Sequence, residues 1–122
     1  MIHTQNEGIY HTLLAQLDKL ERHNRQGSYK TRQRYYEAMQ RFCRFLADVY
    51  HLQKLSNISG KHLVAYVRHL QENGKAASTI KTELAAIRFW HDKLGETKYK
   101  LPSNADLSDQ APLERRRIGG AP

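Results

Sequence analysis

The apolar residues of this chain recur three or four positions apart and never alternate with period two, a pattern that restricts it to helices each burying one face. Ile9, Leu13, Leu17 and Leu20, broadened by Tyr10 and Leu14, predict a first helix from about Gly8 to Arg25, ended by Gln26 and Gly27. Ser28 is a candidate N-cap for a long second helix reaching about Tyr50, with Tyr35, Ala38, Met39, Phe42, Leu46 and Val49 on one side. Beyond a connector through Leu55 and Ile58, Ser59 is the expected cap of a third helix that buries Leu63, Val64, Val67 and Leu70. Asn73 and Gly74 end it, glycine being suited to the left-handed conformation that follows a helix. Ser78 is then the expected cap of a fourth helix carrying Ile80, Leu84, Ile87, Trp90 and Leu94, closed by Gly95. One-faced helices with short connections must pack on one another, so the expected fold is all-α, a compact four-helix bundle.

Composition sets the outer limits. A chain of 122 residues, 39% of them hydrophobic, can bury one modest core, and two independent domains are not expected. From Pro102 onward Ser, Asn, Asp, Ala, Pro and Gly predominate without a sustained apolar stripe, which predicts a flexible tail. The expected division is therefore an accessory helix over 1–27, the domain proper over 28–101, and a linker or tail over 102–122. The single cysteine, Cys43, can form no internal disulfide, and there is no Cys-x-x-Cys set, so zinc and disulfide scaffolds are not expected. No apolar run approaches the roughly 20 residues needed to cross a bilayer, and the N-terminus lacks a basic-then-apolar leader pattern. The expectation is a soluble cytoplasmic protein with no membrane partner.

Charge narrows the function. The formal net charge is +8, and its distribution is uneven: residues 1–27 hold three Lys/Arg against three Asp/Glu, and residues 102–122 hold the same numbers. The segment 28–101, with fourteen Lys/Arg against six acids, carries the whole excess. Within it the cations stand at predicted helix starts, where unpaired N–H groups and the macrodipole favour acids instead. Lys30, Thr31, Arg32 and Arg34 follow Ser28; Lys61 and His62 follow Ser59; Lys75, Thr79 and Lys81 flank Ser78. The position three residues after each cap, where a capping box places Glu or Gln, holds Thr31, His62 or Lys81. Each such cation costs on the order of 0.3–1 kcal/mol in an exposed helix, and a bound phosphate would offset that cost. Ordinary solvated cations account for the same placement, and charge alone leaves the two readings open.

On the outward side of the long helix, Arg34, Arg41 and Arg44 lie opposite the apolar stripe. Glu37 and Asp48 stand at helical spacing to pair with Arg41 and Arg44, which leaves Arg34 beside Lys30 as the stronger contact candidate. Arg88, two turns beyond Lys81, extends the same surface. Tyr35, Phe42, Phe45, Phe89 and Trp90 read as core or domain-contact residues, whereas Tyr29 and Tyr36 are open to phosphate bonding. The seven histidines are scattered, His62 and His69 lack a third ligand nearby, and no metal site is expected. No nucleotide-binding glycine loop, Ser/His/Asp set or paired-carboxylate cluster is present, so neither a cofactor nor a catalytic residue is assigned.

The stretch from Ser28 to Leu101 resembles the SAM-like N-terminal domain of phage integrases and other tyrosine recombinases. The order of its parts carries the resemblance: Ser28-Tyr29-Lys30-Thr31 opening a helix with Arg41-Phe42-Cys43-Arg44-Phe45-Leu46, the connector Leu55-Ser56-Asn57-Ile58-Ser59, the helix with Leu63, Val64, Tyr66 and Leu70, and Gly74-Lys75-Ala76-Ala77-Ser78-Thr79-Ile80 turning into Leu84-Ala85-Ala86-Ile87-Arg88-Phe89-Trp90. The resemblance implies half of a clamp on duplex DNA at a recombination site, with Lys30, Thr31 and Arg34, and Lys75, Ser78, Thr79 and Lys81, at DNA-facing positions. It implies a catalytic domain of the same parent chain and other recombinase protomers as partners. It also implies a prokaryotic or phage-encoded protein acting at the nucleoid. No match to the family's catalytic motifs is found, and strand cleavage is not expected of this chain. Residues 1–27 lie outside the match, and as an extra helix they pack on the bundle or meet a neighbouring protomer. Two other readings stand beside this one: a helical protein-interaction module with a basic face, and a helix-turn-helix regulator built on the corner from Gly74 to Ser78.

Overall fold

Ser28 begins the central helix by holding an extended backbone and accepting the Thr31 N–H on its hydroxyl at 3.1 Å. In the computed structural model, which describes residues 4–23 and 28–110, the elements are α1 (Thr4–His23), α2 (Tyr29–Phe45), α3 (Gly60–Glu72), α4 (Ala77–Asp92) and α5 (Asn104–Gln110). A π-helical turn, Leu46–Tyr50, prolongs α2, and a 3-10 turn, Leu55–Asn57, precedes α3. Among the described residues there is no strand, as the absence of period-two patterning requires. The fold is the all-α bundle the periodicity predicts, with one short helix more than expected.

Four apolar stripes meet in one core, with Trp90, Tyr66, Phe42, Leu13, Leu17 and Met39 among its largest buried side chains. The α1 helix packs on the bundle, which answers one of the questions left open for the N-terminal segment. It buries Ile9, Leu13 and Leu17, and Gln16 bonds the connector twice, donating to the Gln53 carbonyl at 2.7 Å and accepting from the Leu55 N–H at 2.8 Å. The predicted end of α1 at Arg25 and its breaker Gln26-Gly27 fall outside the described residues.

Several sequence expectations change in detail. The long helix does not remain α to Tyr50: from Leu46 the backbone widens into the π turn, and His51 closes it in the left-handed region at φ 52°. The change of pitch keeps Leu46 and Ala47 buried and turns Val49 outward, 54% exposed, away from the stripe it was expected to join. The corner between α3 and α4 is built on Gly74, at φ 75°. Its N–H bonds the Gln71 carbonyl at 3.0 Å and the Lys75 N–H bonds that of Leu70 at 3.0 Å, the paired pattern of a glycine-closed helix end. That corner is tight enough to start α4 early, so Ala76, not Ser78, is the N-cap, and Ser78 and Thr79 lie inside the first turn. Finally, the segment expected to be a flexible linker or tail contains α5, whose Leu107 is fully buried and which packs against α3. One buried leucine in a polar stretch is too little periodicity to announce a helix. The remaining tail, 111–122, lies outside the described residues.

Candidate nucleic-acid interface

The α2 and α4 helices form the most extensive pairing in the bundle, and they run antiparallel. Tyr35 meets Phe89 edge-on at 5.3 Å, and six residues further along α2 Arg41 meets Glu83 of α4, six residues earlier, at 2.5 Å. Helical spacing places Lys30, Arg34 and Arg41 on one side of α2, and the reach of Arg41 to Glu83 shows that this side borders α4. Lys30 and Arg34 therefore stand at the end of α4 that carries Phe89 and Lys93. By the same register Lys81 is level with Cys43, nine residues beyond Arg34, or about 14 Å along the axis. Lys61 lies elsewhere again, over the Tyr50 ring at 5.7 Å, some twenty residues or about 30 Å beyond Lys30 along the long helix. The cations at the three helix starts are strung along the bundle rather than gathered at one corner.

None of the first turns of α2, α3 and α4 contains an acid, as the sequence indicates. Four acids brought against α2, Glu7, Glu21, Asp48 and Glu83, are taken by Arg32, Arg41 and Arg44, while Glu37 on α2 itself is exposed. Arg32 is held against Glu21 of α1 at 3.4 Å with only 14% of its side chain exposed. Arg44 bridges Glu7 at 2.8 Å and Asp48 at 3.2 Å, the latter being the helical pair expected. Arg41 pairs with Glu83 across the helix interface instead of with Glu37 on its own helix, and Tyr66 donates to the same carboxylate at 2.9 Å. The carboxylate's hydrogen bond raises the pKa of Arg41, while burial, reinforced by that negative charge, raises the pKa of Tyr66. By contrast Lys30, Arg34 and Lys75 are exposed, and no carboxylate pairs with them among the described residues. Ser78, Thr79 and Lys81 are also exposed. Thr31 is half-buried, its hydroxyl accepting from Ser28 at 2.9 Å. Arg88 is half-buried and donates to the Asn104 side-chain oxygen at 2.6 Å, and burial lowers its pKa.

Two residues behave differently from their sequence reading. His62, counted with the basic helix starts, is buried, and its Nδ1 accepts the Ser59 N–H at 2.9 Å, completing a capping box in which imidazole replaces the usual Glu or Gln. Burial, reinforced by the charge of Lys61, lowers its pKa, so it adds no cation to the surface at neutral pH. Tyr36, left open for phosphate bonding, donates instead to Asp18 of α1. Tyr29 remains 68% exposed. Beyond the helix starts, the structure gathers Arg88, His91, Lys98, Tyr99 and Lys100 around one open pocket of about 670 Å³ at the C-terminal end of α4. The run Lys98-Tyr99-Lys100, basic residues around an aromatic, was a usable signal for it, but its meeting with Arg88 depends on the turn at Gly95.

No group of three or more His, Cys, Asp or Glu able to hold a metal ion occurs among the described residues, and no helix there is long and apolar enough to cross a membrane. No curated protein and no solved structure matches the chain. The family model described as phage integrase, N-terminal SAM-like domain, matches residues 16–97 of the 122, from the middle of α1 through the turn after α4. That model describes the N-terminal SAM-like region of these proteins and not their catalytic domain. An all-α bundle in the predicted helix order, matched over more than half its length, places the chain in the family of phage integrase N-terminal SAM-like domains.

Proposed function

We propose that this domain binds duplex DNA as one half of a clamp in a tyrosine recombinase, lying along the sugar-phosphate backbone with the exposed side of α2 and α4. The observation that carries the reading is the selective neutralisation of α2: Arg32, Arg41 and Arg44 are spent on acids, and Lys30 and Arg34 on the α4 side are left without one. Lys75, Ser78, Thr79 and Lys81 are exposed at the opposite end of this antiparallel pair, and hydroxyls and ammonium groups of this kind bond phosphate oxygens. Arg32 and Arg88 act in this reading by holding α1 and α5 in place as much as by meeting DNA, and Lys61 lies at the margin. The parent chain's catalytic domain and neighbouring protomers are the partners such a clamp requires, and the work is done on the chromosome or phage genome of a prokaryotic cell.

The test is duplex binding followed by fluorescence anisotropy across a salt series. The expected log-log slope falls by about 0.9 for each phosphate contact removed, so Lys30→Ala and Lys81→Ala should each flatten it and weaken binding, while Lys19→Ala on the outer side of α1 should not. Binding that ignores salt, or variants identical to the parent, would overturn the reading.

A further inference from the structure

The helix starts do not account for every unneutralised cation. Gly95, at φ 83°, turns the chain back after α4, and the Lys98 N–H fixes the returning segment by bonding the Ser56 carbonyl at 2.9 Å. This borders the open pocket of about 670 Å³ whose lining, among the described residues, includes three full positive charges, on Arg88, Lys98 and Lys100, and a single acid, Asp92. Arg88 is the unusual member. It is half-buried, yet the partner that holds it is the neutral amide oxygen of Asn104, at 2.6 Å. A partly desolvated guanidinium normally sits beside a carboxylate, because withdrawing its charge from water is otherwise uncompensated. The half-buried Arg32 and Arg44 in this same chain both obey that rule.

The end of α4 would ordinarily repel an anion through its free carbonyls. Here the Lys93 N–H bonds the Trp90 carbonyl at 3.0 Å and the Leu94 N–H bonds that of His91 at 3.1 Å, which masks the partial charge. Lys93 itself is drawn over the Phe89 ring at 4.9 Å. His91 lines the same pocket, and its Nε2 has no hydrogen-bond partner among the described residues.

We propose that this pocket is a phosphate-binding site, in which Arg88, pre-oriented by Asn104, meets the anion with its fork of donors and Lys98 and Lys100 close over it. The chemistry suits a phosphodiester of a duplex lying on the bundle or a free phosphate group. Where the phosphate belongs to DNA the site rests on the duplex reading above, and the experiment separates the two. Inorganic phosphate and pyrophosphate are titrated into the 122-residue chain while amide chemical shifts are followed. Movements centred on Thr97 to Lys100 are expected, and they should vanish in Arg88→Gln and shrink in Lys98→Gln. The exposed Lys98 variant keeps the test sound if loss of the Arg88–Asn104 bond disturbs folding.

In parallel, the salt slope on a duplex is compared for the same variants. A drop of about 0.9 in Lys98→Gln assigns the site to a DNA phosphodiester. An unchanged slope with intact phosphate shifts assigns it to free phosphate, and this outcome holds even if the chain binds no duplex at all. Absence of pocket shifts with either anion, together with an unchanged slope in both variants, overturns the site.

Discussion

His62 shows how much a single side chain can hide from sequence reading. Its type and position mark it as one more cation at a helix start, yet in the fold it is a neutral acceptor that caps α3. Protonation at Nδ1 would break that cap bond, and burial already lowers the folded pKa below the ordinary 6.5. Above pH 6.5 folded and unfolded chains are both neutral at this position. Below it the unfolded chain binds a proton that the folded one resists, so stability falls with pH from about 6.5 until the lowered folded value is reached. His91, lowered chiefly by burial, adds a contribution of the same sign. Urea unfolding from pH 7.5 down to 5 should show this loss, and His62→Gln, which keeps a capping-box acceptor, should reduce its steepness. Parallel profiles for variant and parent would refute the assignment.

Glu83 is a second residue whose role the sequence does not signal, since a glutamate on a helix ordinarily faces solvent. It is 5% exposed and joins three helices through Arg41 and Tyr66. Glu83→Ala leaves the Tyr66 hydroxyl buried without an acceptor, and we expect a loss of about 1–3 kcal/mol in chemical denaturation, with Glu83→Gln milder. A change in Glu83→Ala below about 0.5 kcal/mol would show the triad to be incidental.

At the scale of elements, the helices announced themselves where an apolar stripe was long, and failed to where it was short. The α5 helix rests on the packing of Leu107 against α3, and Pro102 supports it by closing on Gly60, whose missing side chain leaves room that an added Cβ would take to 3.3 Å. Leu107→Ala should cost about 2–4 kcal/mol, within the range for a buried leucine, and lower the melting temperature. A surface-like change of under about 0.5 kcal/mol would return this segment to the status of a linker. Helix ends were legible where backbone chemistry decides them, at Ser28 and Gly74, and illegible at Ala76, which has no capping side chain and is placed by the corner before it.

The whole molecule sets the spacing of its charges. Because α2 and α4 are antiparallel, Lys30 and Lys81 stand far enough apart to meet different phosphates without sharing a partner. Their effects on duplex affinity should therefore add, the double variant Lys30→Ala/Lys81→Ala losing the sum of the single losses to within about 0.5 kcal/mol. Strong non-additivity would mean that the two ammonium groups act on one phosphate, a geometry incompatible with antiparallel helices.

Periodicity, caps and charge are local properties, and from them alone the helical class, the order and approximate reach of four helices, most of the buried stripe and the segment that owns the positive charge could be read. Which cations are neutralised was a different kind of question. Arg32 finding Glu21, Arg41 finding Glu83, and Arg88 finding only an amide depend on contacts between residues far apart along the chain, and only the packing of the helices brings those partners within reach.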